Sequence, residues 1–173
     1  VFDIAHLRSI PNMIIYAPIN EIALQNILYT AQLGLEHPIA IRYPRGRGVL
    51  PNWEVENFGH YEKIKIGKAI CLKQGTKTAV LSTGTIGNNV IEALKQSTNS
   101  ETIAHYDFPF IKPLDNEALH SILSSFDNII TIEDGVKNGG FGSSILEFAA
   151  ANNFKNNITL LGIPDEFIEH GTV

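Results

Sequence analysis

Arg42-Tyr-Pro-Arg-Gly46 is the segment best equipped to do chemistry. Two guanidinium groups stand three residues apart, a proline stiffens the turn between them, and a glycine lets the backbone come close to whatever binds there. A planar guanidinium holds a phosphate or carboxylate through paired hydrogen bonds. The segment follows the apolar run Pro38-Ile-Ala-Ile41. Its arginines therefore fall at the carboxyl end of a predicted parallel strand, where α/β sheets bind their ligands. The alternative is a surface turn with two solvated arginines.

Three further segments carry weaker signals. Glu133-Asp-Gly-Val-Lys-Asn-Gly-Gly-Phe-Gly-Ser-Ser144 combines a strand end, a glycine loop and a helix start, a combination able to cradle an anion. It has no Gly-Lys-Ser/Thr and no G-x-G-x-x-G spacing, so neither nucleotide fingerprint applies. The favoured reading is a tight strand-to-helix turn in which a buried Glu133 accepts backbone N–H groups. Thr83-Gly-Thr-Ile-Gly-Asn88 reads as an ordinary turn of the same kind. Asp107-Phe-Pro-Phe-Ile-Lys-Pro113 reads as a loop after a strand, with exposed aromatics able to meet a partner chain. The histidines are His6, His37, His60, His105, His120 and His170. No two stand four apart on a predicted helix and none has an acidic neighbour at metal-ligand spacing, so no metal site is assigned. Cys71 reads as an inert core thiol inside a strand, and no G-x-S-x-G elbow marks a nucleophilic serine.

The elements that must position these residues follow from apolar spacing. Residues 12–17 suit a buried strand. Asn20 offers an N-cap, Ile22, Leu24, Ile27, Leu28 and Ala31 follow helical spacing, and Gly34 stops the helix. A strand at 38–43 completes a βαβ unit with a parallel pair. Residues 44–66 have no period and read as a connector. After Gly67 come strands at 68–72 and 78–82, a helix near 86–97, and a strand at 102–106. A helix capped by Asp115, a strand at 128–133, a helix opened by residues 139–142 and a strand at 158–161 follow. That alternation predicts an open α/β sheet, mostly parallel and covered on both faces.

Composition narrows the function classes. The 173 residues are 44% hydrophobic and 18% charged, which supports a packed core. The net charge of −5 argues against nucleic-acid or anionic-membrane partners. One cysteine excludes an internal disulfide and a multi-thiolate zinc site. No run approaches the ~20 apolar residues of a membrane span, and no signal peptide is visible, so the expected compartment is the cytoplasm. Val1 at the start and the abrupt close at Ile168-Glu-His-Gly-Thr-Val173 lead us to expect a piece of a longer protein.

Several strings together resemble one family. They are Val1-Phe-Asp-Ile-Ala-His-Leu-Arg-Ser-Ile-Pro-Asn-Met13, Ala17-Pro18, Ile41-Arg-Tyr-Pro-Arg-Gly46, Phe110-Ile-Lys-Pro-Leu-Asp115, Ile132-Glu-Asp134, Gly139-Gly-Phe-Gly-Ser143 and Gly162-Ile-Pro-Asp-Glu-Phe-Ile-Glu-His-Gly-Thr172. In order and over the whole chain, they resemble the 1-deoxy-D-xylulose-5-phosphate synthases, part of the transketolase-like group. The resemblance implies a homodimer that uses thiamin diphosphate and Mg2+. Such an enzyme decarboxylates pyruvate and joins the two-carbon fragment to glyceraldehyde 3-phosphate, supplying isoprenoid, thiamin and pyridoxal synthesis. It also implies that residues 1–56 end a pyrimidine-binding α/β domain, 57–66 link, and 67–173 form most of a transketolase C-terminal-like domain. Of the family's functional residues only the phosphate-binding arginine has a counterpart here, Arg45. No catalytic, cofactor or metal residue carries over, so the fragment alone is expected to bind no cofactor and to be inactive. For Arg42 the expectation is a pair with an acidic neighbour. Other readings stay open: another transketolase-like enzyme (transketolase or a 2-oxoacid dehydrogenase β subunit), an α/β assembly module, or a small-anion or nucleotide binder using residues 135–144.

Overall fold

In the first part of the chain, an N-cap and a glycine stop set the limits of one helix between two short apolar strands. The computed structural model describes residues 1–46, 48–50 and 59–169. Part of the connector, residues 57–58 of the expected linker, His170 and the closing Gly-Thr-Val lie outside the described residues. The first elements are α1 (Asp3–Arg8), β1 (Ile14–Tyr16), α2 (Glu21–Gln32) and β2 (Ile39–Ile41). The Asn20 side chain accepts the Ala23 N–H at 2.9 Å and so satisfies one free donor at the start of α2. Gly34, at φ +97°, turns the chain out of the helix. Strands β1 and β2 pair in parallel, as the βαβ pattern requires, with Ile14 beside Ile39. Helix α1 has only 6 residues, too few to show a period in sequence. Ile4, 1% exposed, anchors it in the core.

The second part holds β3 (Ile70–Lys73), β4 (Thr78–Thr83), α3 (Ile86–Gln96), β5 (Ile103–Asp107), β6 (Phe110–Lys112), α4 (Asn116–Ser125), β7 (Asn128–Val136), α5 (Phe141–Ala151) and β8 (Asn157–Ile163). Five of its strands form a sheet in the order β3-β5-β4-β7-β8. Only β3 runs antiparallel to its neighbour. The fold is thus α/β with a mostly parallel sheet. Strands β3 and β4 are consecutive in sequence, yet β5 lies between them. Gly75 allows the connection to pass tightly over β5, because a Cβ there would lie 2.2 Å from Ala104 N. Asp115 caps α4 through Ala118 N and also accepts Ala69 N, tying the entry of β3 to α4.

Two expectations are corrected. Residues 107–113 are not a loop with exposed aromatics: β6 pairs antiparallel with β1, giving a sheet in the order β2-β1-β6. Phe108 and Phe110 are 1% and 2% exposed. Phe110 packs edge-on against Tyr16 with ring centroids 4.7 Å apart. Flanking prolines hid this short strand, because proline confines a strand to edges and ends. Cys71 is not a core thiol but exposed. It lies on β3, an edge strand whose Ile70, Cys71 and Leu72 all remain exposed. One hydrophobic core runs through both parts, with Ile4, Ile15 and Ala17 packed among Leu81, Phe108, Ile129 and Phe141.

Helix α3 covers a polar row in the large sheet. Ser82 stands beside Asp107, and Val80 beside His105, in the β4–β5 register. Ser82 Oγ lies 2.8 Å from His105 Nε2. His105 Nδ1 and Asp107 Oδ1 are buried without a hydrogen-bond partner among the described residues. Burial lowers the His105 pKa from 6.5 to about 4 and raises that of Asp107 from 3.8 to about 7. These shifts act oppositely on stability. His105 stabilises the fold above its unfolded pKa, and that contribution is lost as pH falls toward 4. Asp107 stabilises it below its unfolded pKa, and that contribution is lost as pH rises toward 7. Between pH 4 and 6.5 the two slopes cancel. Relative to the parent, Asp107→Asn will make stability rise across this window by about 1.4 kcal/mol per pH unit, and His105→Gln will make it fall by a similar amount. Urea unfolding as a function of pH measures both; profiles parallel to the parent's would contradict the burial of these two groups.

Candidate functional site

Three strand ends meet at one corner of the molecule: those of β2, β4 and β7. The end of β7 is held from inside. Glu133 is 4% exposed, and its carboxylate accepts Phe141 N–H and Gly142 N–H, both at 2.8 Å. These amides belong to the first turn of α5, where the helix has no carbonyl of its own to satisfy them. Gly140 is required beside them, since a Cβ would come 2.3 Å from Glu133 Oε2. Burial raises the Glu133 pKa above the usual carboxylate range, against the opposing pull of the two amides, Arg42 and Arg8. The packing reading of residues 133–144 therefore holds. The turn binds an anion, and that anion is the chain's own side chain.

Two arginines fasten the first part of the chain to this corner. Arg8, from α1, donates to Gly139 O at 2.7 Å, Gly140 O at 3.0 Å and Glu147 Oε2 at 2.6 Å. Sequence reasoning missed Arg8, whose partners lie more than 130 residues away. Arg42 continues the ladder beyond β2 by donating its backbone N–H to Tyr16 O at 2.8 Å. Its Nε donates to Asp3 Oδ2 at 2.6 Å, and its Nη2 donates to the carbonyl of Asp134. The acidic partner expected for Arg42 is thus Asp3, with Asp134 Oδ2 at 3.8 Å. Partial burial pushes the Asp3 carboxyl up, but the Arg42 guanidinium and the amino group of Val1, 3.2 Å from Asp3 Oδ1, together outweigh it and leave the pKa lowered.

Arg45 lies three residues on, exposed, with no hydrogen bond or ion pair to another described residue. Its neighbours Pro44 and Gly46 line a cavity of about 450 Å³, together with Asn20, Thr85, Asn88 and Asp134; Arg45 itself is outside the lining. The turn after β4, read as ordinary from sequence, supplies part of this wall. Asn88 Nδ2 donates to Ile19 O at 2.8 Å, which docks the start of α3 onto the segment entering α2. The missed signal was shared position: Arg42, Thr85 and Asp134 all lie within two residues of the carboxyl end of a strand. Among the described residues, no three of His, Cys, Asp and Glu gather closely enough to hold a metal ion.

Comparison with known proteins agrees with this architecture. Residues 67–173 match the transketolase C-terminal domain family. The chain is 46% identical to the 1-deoxy-D-xylulose-5-phosphate synthase of Parabacteroides distasonis, covering 100% of this chain and 27% of that protein. It is 48% identical to the synthase of the same name from Cytophaga hutchinsonii, covering 98% of this chain and 26% of that protein. The chain therefore spans about a quarter of the length of these relatives. Among solved structures it resembles a split-gene transketolase described as an inactive β4 tetramer. The TM-score is 0.83 at 25% identity, covering 98% of this chain and 54% of that one.

If Glu133 satisfies the start of α5, Glu133→Gln will destabilise the chain by roughly 1–3 kcal/mol, because an amide cannot accept both N–H groups. Urea unfolding at neutral pH measures this. A variant as stable as the parent would show that the two amides find other partners.

Proposed function

The chain belongs to the transketolase C-terminal domain family, and we propose that it is the C-terminal part of a 1-deoxy-D-xylulose-5-phosphate synthase. Similarity across the whole chain to synthases of that name supports this reading. The reaction joins pyruvate to glyceraldehyde 3-phosphate with loss of CO2. The whole enzyme would act as a homodimer in the cytoplasm. No helix among the described residues is long and apolar enough to cross a membrane.

Thiamin diphosphate with Mg2+ supplies the electron sink for decarboxylation in this reading. The described residues do not fit that group. Their glycine-rich turn with inward amides is filled by Glu133, and they gather no metal-binding cluster. The work assigned to this chain is recognition of the acceptor. The observation that carries the assignment is the contrast between the two arginines of one motif: Arg42 is engaged with Asp3 and Asp134, whereas Arg45 has no partner among the described residues. A guanidinium stays charged at any working pH and matches a phosphate with paired hydrogen bonds. Arg45 would hold the phosphate end of glyceraldehyde 3-phosphate, away from the bond being made. That binding energy orients the aldehyde carbon toward the two-carbon donor.

In the full-length enzyme, Arg45→Ala will raise the KM for glyceraldehyde 3-phosphate by about 10- to 100-fold, the equivalent of one lost charge-assisted contact, and will leave the KM for pyruvate nearly unchanged. Steady-state kinetics with each substrate varied in turn measures both. An equal rise in the two constants would count against a phosphate role.

A further inference from the structure

Arg45 sits in a segment with no regular structure, four residues beyond Ile41, the last paired residue of β2. Something must keep its guanidinium where a phosphate can meet it. Arg42 makes the last contacts before this segment leaves the sheet. Its side chain is 20% exposed and reaches two separate elements, the carboxylate of Asp3 on α1 and the carbonyl of Asp134 on β7. Both anchors are themselves fixed. Helix α1 is held by buried Ile4 and by Arg8 on Gly139 and Gly140. Asp134 directly follows Glu133, which is locked to the first turn of α5.

Resting on the reading of Arg45 above, we propose that Arg42 is a positioning residue for acceptor recognition. By bridging Asp3 and the Asp134 carbonyl, it orients the segment that presents Arg45 to the phosphate. The bridge needs the forked guanidinium: one nitrogen faces Asp3 while another faces the carbonyl. A lysine ammonium is a single point at the end of a flexible stem and cannot span both. Arg42→Lys therefore keeps the charge and loses the orientation. Asp3→Ala removes one anchor from a residue outside the Arg42–Arg45 segment and provides a second, independent variant.

The test is the ratio of kcat/KM for glyceraldehyde 3-phosphate to kcat/KM for unphosphorylated D-glyceraldehyde, measured in the full-length enzyme with Arg45→Ala as the control. Misplacing a binding group by about 1 Å costs up to a hundredfold in rate, so Arg42→Lys and Asp3→Ala are expected to lower this ratio by roughly tenfold. The KM for pyruvate and the rate with D-glyceraldehyde should stay close to the parent's. A merely structural role would lower the rates with both aldehydes together and leave the ratio unchanged. If Arg45→Ala collapses the ratio while Arg42→Lys and Asp3→Ala leave it intact, the positioning role is overturned and the phosphate role stands. If Arg45→Ala itself leaves the ratio intact, the phosphate role falls and this inference falls with it.

Discussion

The carboxylate of Glu133 against the first amides of α5 is the contact on which the strand-end corner depends. It satisfies two buried donors that the helix cannot satisfy itself, and leaving them unpaired would cost about 1–3 kcal/mol each. In doing so it fixes the backbone where β7 ends. The carbonyl of the next residue, Asp134, then stands where Arg42 can reach it. Arg42 in turn fixes the exit of β2, and that exit carries Arg45. The first of these bonds is local, spanning 8 and 9 residues, and the bonds of Arg42 then reach 39 and 92 residues along the chain, so one buried carboxylate bears on the geometry of an exposed arginine.

A second constraint places the two sheets relative to each other. Strand β6 leaves the large sheet just after β5 and completes the small one by pairing with β1. Phe110 on Tyr16 and the shared core of Ile4, Ile15, Leu81, Phe108 and Phe141 make the joint apolar and closely packed. Lys112 Nζ adds bonds to Arg8 O at 2.9 Å and Ile10 O at 2.7 Å, holding the end of α1 against the same joint. The distance between the ends of β2 and β7, which Arg42 spans, follows from this packing.

The legible features were those encoded within a few residues. Asn20 and Gly34 bounded α2 because capping is a local matter. The β7-to-α5 turn was read as self-satisfied because a carboxylate just ahead of Gly-Gly-Phe-Gly lies within reach of that helix start. The pairing of Arg42 with an acid was foreseen, but not which acid, since Asp3 is 39 residues away. Short elements were missed. Helix α1 and strand β6 span too few residues for a period to emerge, and both exist because tertiary packing and pairing hold them. Cys71 was misplaced because an apolar run looks the same on an edge strand as on a central one. The contribution of Thr85 and Asn88 to the corner was illegible because it arises where α3 docks onto residues 17–20, a contact no local pattern records.

In the proposed role, this corner offers Arg45, without a partner among the described residues, to a phosphate while Glu133 already fills the glycine turn. A crystal structure of the full-length protein soaked with glyceraldehyde 3-phosphate tests that most directly. The expected result is phosphate oxygens within hydrogen-bond distance of the Arg45 guanidinium, with Glu133 still bonded to Phe141 N and Gly142 N. A phosphate bound by the amides at 141–142 with Glu133 displaced, or one bound with no contact to Arg45, would contradict it.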